Sequence, residues 1–375
     1  AADPKQQAEL IDLLAPSGLK LLANLQPDTT DYTDTQGLIL TNKPLEEPDF
    51  HSPLPPMVIV AFRGTEKKWQ DVKTDLSFKL VSPSGALPEV DWAKGSAVHK
   101  GFASGLSSVE KHLTETLKPY AARDIPIIFT GHSLGGALAN LASLYYEQLF
   151  DKKIGRNSVS ACYTFGAPRI GNAALTGICK VPVYRYVNAA DPVARLPPEA
   201  FWPKLGMRLL TAVGKFAPLP RWVDWIRGKV LMMRSYCHQG SARFLLPVPD
   251  AKDPQELEAH VKNAPAIVAN PSVGFQVTSL WNYVFRRAKT GFVKDHSIRN
   301  YILKLERWTE LQNPAKVEGN VDLEAQENTL KQWMDALPPS AQSPALVPQN
   351  GDTNQQLPDV LPEYALDSDD KGQGT

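Results

Sequence analysis

Cysteine is scarce in this chain: Cys162, Cys179 and Cys237 are the only three in 375 residues. So small and odd a set cannot build a disulfide framework, and no CxxC pair offers half of a zinc site. That usage fits a reducing compartment. Long apolar runs are missing too, since no uncharged stretch reaches the roughly 18 residues needed to span a bilayer. An excess of one charge is also absent: 40 Lys+Arg stand against 40 Asp+Glu. A zero total argues against a chain-wide polyanion binder, although a total is silent about distribution. The opening AADPKQQAELIDLLAP lacks a basic n-region followed by an apolar h-region. No secretory signal is therefore expected there, and a cytoplasmic or non-classically exported protein is the expectation.

What is present suffices for a core. Apolar residues make up 43% and aromatics 9%, which excludes wholesale disorder. No internal repeat is visible. Up to about residue 200, helical and strand patterns alternate. Gln6–Leu14 reads as a short amphipathic helix, and Gly37–Thr41 and Met57–Phe62 (MVIVAF) as strands. Phe102–Tyr120 carries a stripe of Phe102, Leu106, Val109, Leu113 and Leu117 and reads as one helix. Ile125–Thr130 is a buried-type strand, Ala137–Leu149 a helix, and Ser158–Phe165 and Val181–Val187 strands. Strands alternating with helices imply crossovers and a mostly parallel sheet, so the fold class is α/β. Residues 201–294 break the rhythm with basic, Trp-rich stretches, a strand-like SYCHQGSARFLL and a polar helix near Glu256–Val261. A helix over Ser297–Leu311 follows. Residues 313–375 hold 11 acids, 3 bases and 7 prolines. That composition buries too little apolar surface to offset ordering, so a mostly disordered tail is expected, with a short helix near Leu330–Leu337.

The strongest chemical signal is Gly131-His132-Ser133-Leu134-Gly135. G-x-S-x-G sets a serine on a tight strand-to-helix turn, where glycines allow close backbone approach and Oγ projects above the sheet edge. Here it lies between a buried strand and an Ala-rich helix, the context that this geometry requires. A structural Gly-rich turn is the bland alternative.

A serine nucleophile needs a positioned base, and the base needs an acid that orients it. Three histidines follow Ser133. His260 lies on a charged helix, His238 inside an apparent strand, and His296 in a loop before an amphipathic helix. The loop position favours His296 over His238. For the acid, Asp191 follows the strand VPVYRYV and so stands at a strand's C-terminal end, where α/β sites assemble. Its bland reading is an Asx-turn before Pro192. Asp295 is adjacent to His296, which rarely lets a carboxylate reach the neighbouring ring. A tetrahedral intermediate also needs donors for its oxyanion, for which the backbone N–H of Leu134 is one candidate. The loop Arg63-Gly64-Thr65 after MVIVAF is a second source, and equally an ordinary surface turn.

Together the motifs resemble the class 3 lipases, the fungal-type triacylglycerol lipase family of the α/β-hydrolase fold. The matching pieces are DTQG at 34–37, AFRGT at 61–65, VHKGF at 98–102, GHSLGGALA at 131–139, TFGAPRIGN at 164–172 and DPVARLPP at 191–198. CHQG at 237–240 and DHSIRNY at 295–301 complete them. The resemblance spans about residues 5–311. It implies Ser133 as nucleophile, Asp191 as acid and His296 as base, with Thr65 and Leu134 at the oxyanion and His238 structural. It implies no metal or cofactor. It also implies a lid after the oxyanion residue, where Trp69, Val72 and Leu76 share one helical face. An ordinary amphipathic surface helix fits that pattern equally well.

The stretch from Asp191 to His296 is longer than the family's, with inserts at about 202–234 and 247–294. The first carries seven Lys/Arg and one acid among Trp202, Leu209, Phe216, Trp222 and Trp225. Such a composition suits peripheral contact with a lipid interface through 202–234 and 279–294, or else a helical cap with solvated charges. Nucleic-acid binding is not expected, because no recognition motif accompanies the basic residues. The expectation is one hydrolase domain, 1–312, that includes the 201–294 insertion, and a tail, 313–375. The expected activity is lipase action on acylglycerols. Alternatives are a phospholipase A1-type activity and a catalytically silent lipid-binding protein of the same fold. The neutral total hides +9 over 201–294 and −8 from 313 onward.

Overall fold

The computed structural model describes residues 14, 17–27, 35–46, 54–64, 79–188, 191–197, 236–245, 255, 267–269 and 296–312. The chain divides into two units, 1–342 and 343–375, and every described residue belongs to the first. Most of the helix expected at Gln6–Leu14, Thr65, the Trp69, Val72 and Leu76 face, the insert 202–234, most of 247–294 and the tail lie outside the described residues. Among the described residues, no helix is long and apolar enough to cross a membrane.

The strands are β1 (Lys20–Leu25), β2 (Gly37–Thr41), β3 (Val58–Phe62), β4 (Leu80–Val81), β5 (Val98–His99) and β6 (Ile127–His132). They continue with β7 (Val159–Phe165), β8 (Gly171–Asn172), β9 (Val183–Asn188), β10 (Tyr236–Cys237), β11 (Ser241–Leu245) and β12 (Ile267–Ala269). Eight form one sheet in the order β1-β2-β3-β6-β7-β9-β11-β12. Its centre, β3-β6-β7-β9-β11, is parallel, and β1, β2 and β12 add antiparallel edges. A parallel sheet must be covered on both faces, so its central strands are rich in Val, Ile and Phe. The remaining short strands make a small antiparallel sheet, β10-β8-β5-β4.

Helix α1 spans Lys100–Ser107, α2 Glu110–Ala121, α3 Leu134–Ile154, α4 Ala173–Thr176 and α5 Ile298–Gln312. The stripe Phe102, Leu106, Val109, Leu113 and Leu117 is buried throughout, yet the single helix expected there is two. The Ser108 hydroxyl donates to the Gly105 carbonyl, and Val109 leaves helical geometry at φ −122° and ψ 1°. A local side-chain bond thus competes with the helical ladder without moving the stripe off the core. Helix α3 is longer than its sequence pattern suggested and is buried nearly all round. Its run of Ala137, Ala139 and Ala142 lets it lie close against β6 and β7. It stops at Gly155, whose φ of 71° suits the left-handed cap. The strand-like SYCHQGSARFLL is likewise two strands, β10 and β11, parted at Gly240 with φ 72°.

Candidate active site

The described parts of the site collect at the C-terminal ends of the parallel strands, where α/β crevices form. Ser133 follows β6 directly and sits at φ 56° and ψ −126°, a left-handed backbone that a non-glycine residue rarely adopts. The turn closes only because its neighbours lack Cβ. A Cβ on Gly131 would lie 2.4 Å from the Gly135 carbonyl group, and one on Gly135 only 2.3 Å from the Phe62 oxygen. The Ser133 N–H is tied to the Phe165 carbonyl at 2.9 Å.

Three side chains converge there. Ser133 Oγ lies 2.8 Å from His296 Nε2, and His296 Nδ1 lies 2.9 and 3.0 Å from the two oxygens of Asp191. A carboxylate accepts, so Nδ1 carries the proton. The bare Nε2 of the neutral ring then accepts the serine O–H. Asp191 is wholly buried. It needs partners to be stable there, and it has them: the Tyr301 hydroxyl donates to Oδ2 at 2.6 Å and the Val193 N–H to Oδ1 at 2.8 Å. The Asx-turn and the acid are therefore one residue in both roles of geometry.

Behind this trio lies a second set that the sequence reading missed. Tyr301 also accepts the Asn188 N–H at 2.9 Å, and buried Lys304 donates to Asn188 Oδ1 at 2.5 Å. Tyr301 and Lys304 share the inward face of α5, three residues apart, and that spacing within DHSIRNYILK was the available signal. Arg169, in TFGAPRIGN, is buried and donates from its guanidinium to the carbonyls of Arg195 and Pro197. Its N–H reaches Leu196 at 2.8 Å, so this arm seats the 191–197 segment that carries Asp191. Gly166, at φ 62°, leaves the room: a Cβ there would come 2.6 Å from Asp191 Oδ2.

His132, beside the serine, donates from Nε2 to the His296 carbonyl at 2.7 Å. Burial and the neighbouring His296 hold its pKa down to about 4. His238 goes elsewhere. It lies between β10 and β11, its Nε2–H donates to the Ala194 carbonyl at 3.0 Å, and burial keeps its pKa well below the ordinary value.

Leu134 opens α3, and the first ladder bond at that end runs from the Ala137 N–H to the Ser133 carbonyl. The Leu134 N–H thus precedes the ladder, at the positive end of a helix of 21 residues. The loop leading to Thr65 begins at Gly64, packed on this turn. A Cβ at Gly64 would lie 2.9 Å from the His132 carbonyl oxygen and 3.6 Å from Ser133 Cβ. Among the described residues, no cluster of three or more His, Cys, Asp or Glu could hold a metal ion.

Strand order, crossover helices and the strained serine turn after β6 define an α/β-hydrolase. Residues 59–201 match the family model described as Lipase (class 3). It is 35% identical over 154 residues to a lipase of Rhizomucor miehei, across 38% of each chain. It is 30% identical over 164 residues to phospholipase A1 EG1, chloroplastic/mitochondrial, of Oryza sativa subsp. indica, covering 37% of this chain and 36% of that one. It therefore spans under two fifths of the length of these relatives. The crystal structure of the lipase from Rhizopus microsporus var. chinensis matches at 26% identity and a TM-score of 0.41, covering 66% of this chain and 67% of the other.

Proposed function

We propose that the protein is a serine hydrolase that cleaves carboxylic ester bonds of lipids, acting as a lipase on acylglycerols. The observation that carries this reading is the unbroken relay from Ser133 Oγ through His296 to buried Asp191. Ser133 attacks the ester carbonyl while His296 Nε2 takes its proton. Asp191 holds the ring in the productive tautomer and balances the imidazolium that forms. The Leu134 N–H and Thr65 donate to the oxyanion, where preorganised donors contribute most. His296 then gives the proton to the leaving alcohol, and water releases the acyl-enzyme by the same steps in reverse order. Trp69, Val72 and Leu76 form the apolar face of a lid over the acyl cleft, which opens at a lipid surface. The basic-aromatic segments 202–234 and 279–294 make peripheral contact with that surface.

A phospholipase A1-type activity is the second reading. Two features favour it: the similarity to the rice phospholipase A1 and the seven Lys/Arg between 202 and 234, which suit anionic headgroups. Hydrolysis of a long-chain triacylglycerol and of a diacylphospholipid, measured side by side with Ser133→Ala as the blank, separates the two. Triacylglycerol cleavage without phospholipid turnover supports the lipase reading. The reverse establishes the phospholipase, and neither activity above the blank overturns both.

A further inference from the structure

We propose that His132 is a positioning residue for the base, its imidazole pinning the backbone of His296 to the turn that carries Ser133. This rests on reading Ser133, His296 and Asp191 as the catalytic relay. The x positions of G-x-S-x-G owe nothing to the elbow geometry, so the turn itself does not call for a histidine there.

The geometry forms a closed circuit. A peptide bond joins His132 to Ser133, Ser133 Oγ meets His296 Nε2 at 2.8 Å, and the His296 carbonyl returns to His132 Nε2 at 2.7 Å. A carbonyl oxygen only accepts, so His132 is the donor and its tautomer is set. The two imidazoles lie 4.7 Å apart between centroids, inclined at 32°, and Tyr301 stands edge-on to His132 at 5.8 Å. The His296 carbonyl sits one residue before that of Ser297, which receives the Asn300 and Tyr301 N–H groups at the start of α5. His132 thus grips the chain where it enters the helix. The distance from nucleophile to base then follows from one turn, not from the path of the residues before His296. His132 stays neutral over the range in which a histidine base works, so it places no positive charge beside the imidazolium formed on His296.

The test compares His132→Phe, which keeps a ring but removes the donor, with His132→Gln, whose amide N–H can reach the same carbonyl. Active sites in the full-length chain are counted with a fluorophosphonate, and turnover is followed on a soluble short-chain p-nitrophenyl ester. Misplacing a base by a fraction of an ångström costs roughly 10- to 100-fold. His132→Phe is therefore expected to lower kcat per titrated site by about that factor with KM within about twofold, and His132→Gln to recover most of it. A kcat per titrated site equal to wild type in His132→Phe overturns the proposal. So does a His132→Gln as slow as His132→Phe. If His132→Phe does not fold, His132→Asn, whose amide stops short of the carbonyl, takes its place under the same criteria. Activity persisting in Ser133→Ala would instead overturn the underlying relay, a separate result.

Discussion

Asp191 has no contact with solvent and so depends on every group that points at it. Tyr301 and Val193 supply two donors in addition to His296. Tyr301→Phe removes one hydrogen bond to a charged acceptor, a loss of about 1.5–3 kcal/mol. Part of that loss falls on the orientation of the acid, so kcat should drop about tenfold with KM little changed, as steady-state kinetics would register. An unchanged kcat would show that His296 and Val193 suffice. Gly166 bounds the same carboxylate from the other side. Gly166→Ala meets a left-handed backbone and a contact of 2.6 Å with Asp191 Oδ2, so it should lower kcat/KM at least a hundredfold in protein that still folds. Ala at 166 with wild-type kinetics would mean that the acid tolerates displacement.

The strand-turn-helix unit β6–Ser133–α3 holds its shape by close backbone packing. An alanine at Gly135 would press on the Phe62 and Arg63 backbone at 2.3 and 2.7 Å. Backbone cannot rotate away as a side chain can, so Gly135→Ala should cost about 3 kcal/mol or more, read as a fall in the urea midpoint. A midpoint within error of wild type would refute this tight packing. This unit was legible in the sequence because a single motif couples glycines, serine and flanking periodicities. Strands β2, β3, β6, β7 and β9 were legible from their apolar runs, all within about two residues of their ends. Strand β1, six residues long, was not read, nor were β4, β5 and β8, whose two residues each are too few to carry a period. Helix α5 was legible as an amphipathic stretch. That its Tyr301 would reach Asp191, 110 residues back in the chain, depends on tertiary packing that spacing alone does not encode. Asp191 and His296 were selected by order along the chain and loop position, and the geometry unites them with Ser133.

Across the fold, buried histidines set how stability responds to acid. His132 keeps its proton off until the pH is near 4 and burial holds His238 well below the ordinary histidine value, whereas an unfolded chain takes both protons up near 6.5. Between those values the unfolded state binds more protons. Stability is thus complete above about pH 6.5 and declines as the pH falls toward 4. The urea midpoint at about pH 4.5 should lie below that at about pH 7.5, and His132→Phe should flatten part of the slope; a midpoint independent of pH would contradict this. The opposed charges of 201–294 and of the residues from 313 onward were visible only as composition. The central claim is that Ser133 is the nucleophile of a working relay, and covalent trapping tests it most directly. Incubating the full-length chain with a fluorophosphonate and mapping the adduct by peptide mass spectrometry should place one label on Ser133. That label should be absent in Ser133→Ala and formed far more slowly in His296→Ala. No label, or an equal rate of labelling at Ser133 without His296, would contradict it.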